Sequence, residues 1–312
     1  MKILAIRYSG LGDLVMLLPA LQRLKVAADD VHITLATDCF HQDFKLLSCG
    51  LIDEVICLDR RRMKRGGIWT ALVEIYNFYR QLRSSAYDQV IDFQNFGETA
   101  TISYLARAKV KRGAPKKSKY HYGYSEIVER VETDHRSQFF CRIAGVDDHI
   151  DYPRLCLDDA GVEYAAKLGQ KIDSARAVIG LNIGSTQESR RWDHHNFAKL
   201  ARHLSTEHQI LVFAGPSELQ YIDVFGDESF VVQGATIPQL CGAISLCSYF
   251  VSNDTGPVHL AAALGVPTLT LFSTGDDWCV GALIEQRAHL RNEEINKISV
   301  EDVLIGLSKL AG

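Results

Sequence analysis

At 312 residues, with 47% apolar and 23% charged residues, the chain has the composition of a soluble globular protein and is long enough for two cores of about 150 residues each. No apolar stretch approaches the roughly 18 residues that span a bilayer. The run Ile3 to Ile6 is cut by Arg7, Gly10, Gly12 and Asp13, too short and too polar for a secretory signal. The net charge of −4 is unevenly divided: residues 1–155 carry 23 Lys and Arg against 19 Asp and Glu, and residues 156–312 carry 11 against 19. That asymmetry points to two units with different partners, the first of which meets something anionic.

In chain order, Lys2 to Arg7 reads as a buried parallel strand and Asp13 to Ala27 as the helix after it. His32 to Ala36, Glu54 to Leu58 and Asp88 to Asp92 are further strands, and Ile68 to Ser84 is a long helix between two of them. The pattern restarts after Pro153. Ala160 to Ile172 and Phe197 to His208 are helical, Ala177 to Ile183 and Gln209 to Phe213 are strands, and Phe230–Val232, Tyr249–Val251 and Thr268–Phe272 continue the series. Strands alternating with helices give doubly wound parallel sheets. Two such series predict two Rossmann-like domains, residues 1–157 and 158–312, with the amphipathic segment Val300 to Leu310 free to pack on either one. The eight cysteines are scattered without a C-x-x-C pair, which reads as reduced thiols in a cytoplasmic protein rather than a disulfide or metal framework.

Three segments follow strand ends, where open α/β sheets bind ligands. Ser9-Gly-Leu-Gly-Asp13 lacks the third glycine of a dinucleotide fingerprint and puts an acid at a helix start. Taken alone, Asp13 reads as an N-terminal capping carboxylate. Gly184 to Trp192 offers small hydroxyl residues with Arg190 and Arg191, a set suited to phosphate oxygens. Ser252-Asn-Asp-Thr-Gly-Pro-Val-His-Leu-Ala-Ala-Ala-Leu-Gly265 runs from a strand into an alanine-rich helix. Amides at Thr255 and Gly256, with the helix dipole behind them, make a pyrophosphate site that His259 can face.

Together these segments resemble glycosyltransferase family 9, the ADP-heptose:lipopolysaccharide heptosyltransferases. Ser9, Gly12, Asp13, Leu18 and Pro19 fit its opening S-x-x-G-D-x-x-x-x-L-P. Ser185, Thr186, Arg190 and Trp192 fit its small-residue loop with a basic residue before tryptophan. Gly215, Pro216 and Glu218 resemble its G-x-P/S-x-E element with one residue fewer between glycine and glutamate, and Asn253 to Gly265 fits N-D-T-G-x-x-H-L-A-A-A-L-G throughout. The chain departs from the family pattern at Ser273 to Asp277, at Asp193 in place of proline, and at Met16 in place of histidine.

The resemblance implies a GT-B type α/β fold, two Rossmann-like doubly wound domains facing a central cleft, with an inverting mechanism that uses no metal and no cofactor. The sequence agrees in having no D-x-D motif of the kind that holds a divalent ion on a nucleotide sugar. Asp13 becomes the general base toward the acceptor hydroxyl. The donor, ADP-heptose or another nucleotide sugar, falls to Ser185, Thr186, Arg190, Asp254, Thr255, Gly256 and His259, with Glu218 at the ribose and the backbone near Ile237 at the adenine. The acceptor, an anionic glycolipid of the lipopolysaccharide core, falls to Ser9, Gly12 and two basic loops, Arg60 to Arg65 and Lys109 to Lys119, in which Arg60, Arg61, Lys64 and Lys119 are the contacts. That acceptor implies a cytoplasmic protein in peripheral contact with the inner membrane; no nucleic-acid module is recognised. A sugar-nucleotide epimerase shares the architecture, but the Asn253 to Gly265 element matches the transferases. A non-catalytic sugar-nucleotide binder would have no use for Asp13.

Overall fold

The computed structural model describes the chain apart from residues 9, 132, 148, 150, 174, 228, 274–276 and 312 and the side chains of residues 277 and 278. It divides into two compact units, Met1–Asp151 and Tyr152–Gly312, a junction six residues earlier than the sequence reading placed it.

The first unit contains β1 (Lys2–Ile6), α1 (Leu11–Ala27), β2 (His32–Asp38), α2 (Phe44–Leu47), β3 (Glu54–Leu58), α3 (Arg60–Arg65), α4 (Gly67–Ser84), β4 (Tyr87–Asp92), α5 (Gly97–Leu105), β5 (Ala108–Gly113), β6 (Glu126–Ile127) and α6 (Arg136–Ala144). All strand pairs are parallel, in the order β3-β2-β1-β4-β5-β6. Four of the five residues of β1 are buried, as a strand covered by helices on both sheet faces must be. Helix α1 buries Leu14, Val15, Leu17, Leu18, Leu21 and Leu24 and packs on α6. Met16, the departure from the family's histidine, is buried with them.

The second unit repeats the plan. It contains α7 (Asp159–Gly169), β7 (Val178–Asn182), α8 (His194–Leu204), β8 (Gln209–Ala214), β9 (Ser229–Gln233), α9 (Ile237–Ile244), β10 (Tyr249–Asn253), α10 (Gly256–Ala263), β11 (Thr268–Phe272), α11 (Asp277–Val280), β12 (Arg287–Arg291) and α12 (Val300–Ala311). Its sheet is also parallel, ordered β12-β11-β10-β7-β8-β9. The terminal helix α12 packs on β11, β12 and α8, burying Val303 and Leu307 in the cluster that holds Trp192 and Phe197. Its place is thus in the second unit's core.

Three sequence expectations are corrected. Arg60–Arg65 is helix α3 and not a loop, because the Asp59 carboxylate caps it, accepting the Arg62 N–H at 2.8 Å. Lys109 to Lys119 is not one loop either: its first half is β5, paired to β4, and only its second half leaves the sheet. Cys39, Cys57, Cys241 and Cys247 hold free thiols, but Cys49 and Cys156 are disulfide-bonded, which scattered spacing along the chain does not announce.

Helices α7 and α9 pack closely where Gly161 faces Gly242: a Cβ built on Gly242 would run into the Gly161 carbonyl oxygen, and one on Gly161 would stand 2.9 Å from the Pro238 carbonyl oxygen. Backbone cannot yield as a side chain tip can. Gly242→Ala is therefore expected to destabilise the protein by about 1–3 kcal/mol through overpacking, read as a lower midpoint in urea with an unchanged slope.

Candidate functional site

In each unit the strand order reverses once, between β1 and β4 and between β7 and β10. Those reversals open the crevices at the strand C-termini where such sheets bind ligands.

In the first unit, the crevice holds a charged network. Arg7, just past β1, is 5% exposed and donates from Nη1 to the Phe93 carbonyl at 2.9 Å. Its Nη2 contacts Asp13 Oδ2, and Arg136 Nε lies 3.8 Å from Asp13 Oδ1. Asp13 sits in the first turn of α1, but the N-cap is Gly10 and no side chain caps the helix. The capping reading of Asp13 is thereby corrected: its carboxylate turns toward the two arginines, drawn by opposite charge. Gly10 has φ 85°, and a Cβ there would stand 2.5 Å from Asp13 Oδ2, so only glycine fits both the turn and the carboxylate.

The Phe93 carbonyl is itself held in place. Asp92 is fully buried at the end of β4; its Oδ1 accepts N–H bonds from Gln94 at 2.8 Å and Asn95 at 2.9 Å, and its Oδ2 accepts from the Tyr124 hydroxyl at 2.6 Å. Burial pushes the Asp92 carboxyl up from its usual range, and these donors oppose that shift. Burial also holds the Arg7 guanidinium below its usual range, with the Asp13 charge acting the other way.

Of the expected acceptor residues, Gly12 is buried in α1 and Ser9 lies outside the described residues. Arg60, Arg61 and Lys64 share α3. Arg60 reaches Glu98 at 3.5 Å, Arg61 lies over the Phe40 ring at 4.2 Å, and Lys64 is exposed. Arg61, with Asp38, Phe40 and Asp59, lines a cavity of about 600 Å³. Lys119 is exposed on a separate turn, Ser118–Gly123, above the Tyr120 ring.

In the second unit, neutral side chains do the positioning. Asn253, wholly buried at the end of β10, donates from Nδ2 to the Gly184 carbonyl at 3.1 Å and the Ile183 carbonyl at 3.3 Å, and its Oδ1 accepts the Trp192 N–H at 2.9 Å. Asn182, at the end of β7, donates to Ser252 at 2.9 Å and to Thr255 Oγ1 at 3.0 Å. The Thr255 hydroxyl is turned back toward the Asn253 carbonyl, and α10 begins without a side-chain cap. Pro257 has no N–H and the Val258 amide donates to the Thr255 carbonyl at 3.2 Å, so it is the amides of Thr255 and Gly256 that face outward for another acceptor.

The expected donor residues gather around this point. Asp254, Thr255 and Gly256 are half-buried at the start of α10, and His259 is buried within it. Arg190 Nη1 lies 3.8 Å from Asp254 Oδ2, and the Arg190 Nε has no hydrogen-bond partner among the described residues. Ser185 is buried and bonds to Gln187, whereas Thr186 is exposed. Glu218 is 3% exposed, with Oε1 accepting from Ser217 at 2.8 Å. A Cβ would stand 2.8 Å from its Oε2 at Gly215 and 3.2 Å at Gly184, so both glycines make room for that carboxylate. Ile237 is the first residue of α9, after the Thr236–Gln239 capping box. Asp193 accepts the His195 N–H at 2.7 Å and caps α8, which explains an acid where the family has proline. Of the segment Ser273 to Asp277, Ser273 is buried and residues 274–276 lie outside the described ones.

Arg7, Arg136, Asp92 and Asn182 escaped the sequence reading. The one visible signal was an arginine ending an otherwise apolar strand.

Two parallel sheets of this order, with their reversal points lined in these two ways, define a GT-B type α/β fold. The family model "Glycosyltransferase family 9 (heptosyltransferase)" matches residues 75–304, and the chain belongs to that family. A lipooligosaccharide heptosyltransferase 2 of Campylobacter jejuni is 35% identical over 109 residues, a stretch covering 32% of this chain and 34% of that relative's length. A lipopolysaccharide heptosyltransferase 1 of Campylobacter coli is 22% identical over 349 aligned positions, covering all of this chain and 99% of the relative. An E. coli heptosyltransferase solved with ADP superposes with a TM-score of 0.84 at 18% identity, covering 99% of this chain and 100% of that one.

Asn253→Ala should leave the Trp192 N–H and two carbonyls without their partner in a buried setting. The expected cost is about 1–3 kcal/mol for an unmet buried group, measured by urea denaturation, together with weakened binding of ADP by calorimetry.

Proposed function

We propose that the chain transfers a heptosyl group from ADP-heptose to a lipopolysaccharide-core acceptor, with inversion at the anomeric carbon and without a metal. The observation that carries the proposal is the uncapped start of α10, beside Arg190 and the end of β7. Backbone amides and a guanidinium there suit the two phosphates of a nucleoside diphosphate. The ADP and the ADP-2-deoxy-2-fluoro heptose bound in E. coli heptosyltransferases of the same fold support the choice of donor.

In this reading the acceptor hydroxyl oxygen attacks the anomeric carbon as the carbon–oxygen bond to the diphosphate breaks. Asp13 takes the hydroxyl proton. ADP leaves with its negative charge spread over the α10 amides at Thr255 and Gly256, Arg190 and His259, donors fixed before the reaction begins. Glu218 accepts hydrogen bonds from the ribose hydroxyls, and the backbone at Ile237 borders the adenine. Arg7 and Arg136 act as positioning residues that aim the Asp13 carboxylate. The acceptor's phosphates and carboxylates meet Arg60, Arg61 and Lys64 on α3 with Lys119, and its lipid brings the protein to a membrane surface. Among the described residues no helix is long and apolar enough to cross a membrane, and the reading makes that association a peripheral one.

Incubation with ADP-heptose and a heptose-deficient lipopolysaccharide should release ADP and add one heptose to the glycan by mass spectrometry. The same turnover is expected in excess EDTA. ADP-heptose converted to an isomer without acceptor would instead favour the epimerase class, and activity lost to EDTA and restored by Mg²⁺ would defeat the metal-free step.

Replacing Arg60, Arg61 and Lys64 together with alanine should raise the acceptor KM and leave the donor KM nearly unchanged. The difference should shrink in high salt, since exposed charges are screened beyond about 8 Å at physiological ionic strength. Wild-type acceptor kinetics in this variant would return α3 to the role of a solvated face.

A further inference from the structure

Helix α4 carries two apolar faces. One packs inward: Phe78 and Leu82 are buried in the first unit's core cluster with Tyr79 against it. The other is open. Ile68 is 73% exposed, Trp69 79%, Leu72 51%, Val73 54% and Tyr76 68%. At 100° per residue these five fall on one stripe of the helix, and the charged residues Arg80 and Arg83, also exposed, continue the same side at its C-terminal end. Single exposed apolar side chains need no explanation, but five neighbours of this size do.

The charge beside the stripe selects its occupant. Helix α3 packs against α4 and ends in Lys64 and Arg65, with Arg61 and Arg62 also exposed. Among the described residues Glu74 pairs with Arg62 at 2.7 Å and Glu98 with Arg60 at 3.5 Å, while Asp38 and Asp59 line the α3 cavity with Arg61, so cations still outnumber the acids along this edge. An apolar stripe holding tryptophan and tyrosine, rimmed at both ends by cations, has the makeup of a helix that lies in the interface of an anionic bilayer. Two copies paired through the stripe by a two-fold axis would bring a one-signed rim close to itself, which disfavours self-association.

We propose that the outer face of α4, with the α3 cations and Arg80 and Arg83 around it, is the surface by which this protein docks on anionic lipid. The proposal deepens the glycolipid-acceptor reading and rests on it for its purpose. The side chains of Trp69, Leu72 and Tyr76 enter the boundary between headgroups and acyl chains, and the arginines stay at the phosphate level. Such docking holds the α3 cavity at the membrane surface, where a lipid-anchored sugar is presented.

The test is sedimentation of the full chain with vesicles of phosphatidylglycerol and phosphatidylcholine, compared with phosphatidylcholine alone. Wild-type protein should bind the anionic vesicles and release in high salt. Trp69→Ser with Leu72→Ser should lower the partition coefficient by about tenfold or more, and Arg80→Gln with Arg83→Gln should lower it by a smaller, salt-dependent factor. Both variants should turn over a deacylated, water-soluble acceptor like the wild type, while the serine variant loses activity on acceptor embedded in vesicles. Equal vesicle binding by wild type and serine variant would overturn the proposal, as would a wild type that ignores anionic vesicles. A dimer in light scattering that the serine variant abolishes would reassign the face to self-association and also overturn it. Should neither acceptor be glycosylated by any form, the transferase reading fails, while vesicle binding still decides the surface.

Discussion

A guanidinium buried as deeply as that of Arg7 must keep a counter-charge, because an isolated ion out of water costs far more than a domain can spare. Asp13 supplies it. From that requirement follow the glycine at position 10, the turn of the carboxylate away from a capping role, and the burial of Asp92. The latter fixes the loop whose Phe93 carbonyl takes another guanidinium N–H. The ion pair is weak evidence for stability as such. Its effect is to hold one carboxylate in one place at the point where the first sheet reverses.

The second unit meets the same topological demand with neutral groups. Asn182 and Asn253 tie β7, the Gly184 turn, Trp192 and Thr255 together without placing a charge in the crevice. The N-terminal dipole of α10 is therefore left uncompensated except by Asp254, which has Arg190 beside it. One fold plan thus yields two unlike crevices, one ending in a carboxylate held by two arginines and one in an uncapped helix start beside an arginine. The proposed transfer assigns the acceptor's proton to the first and the departing diphosphate to the second.

Much of the fold was legible because buried parallel strands are short continuous apolar runs: Glu54–Leu58 and Thr268–Phe272 coincide with their runs residue for residue. The strands that escaped are β5, β6 and β12. Ala-Lys-Val-Lys-Arg-Gly and Arg-Ala-His-Leu-Arg alternate polar and apolar residues near or at a sheet edge, where one side faces water, and β6 is only two residues long. The same charges made Lys109 to Lys119 read as a loop. At the sites, the glycines, Asp13 and the Asn253 to Gly265 run were visible as local patterns. Arg7 to Phe93 and Asn253 to Trp192 were not, since 86 and 61 residues separate the partners and nothing local announces the bond.

The central claim is that Asp13 is held by Arg7 and Arg136 to act as a base. Its most direct test is Asp13→Asn, read by single-turnover kinetics alongside calorimetric donor affinity and thermal melting. Asparagine keeps the size of the side chain and removes its ability to take a proton. The account predicts a folded variant that binds ADP-heptose within a few fold of the wild type and turns over at least about 100-fold more slowly, as loss of a general base typically costs about 10²–10⁴. A well-folded Asp13→Asn enzyme with near-normal turnover would contradict it.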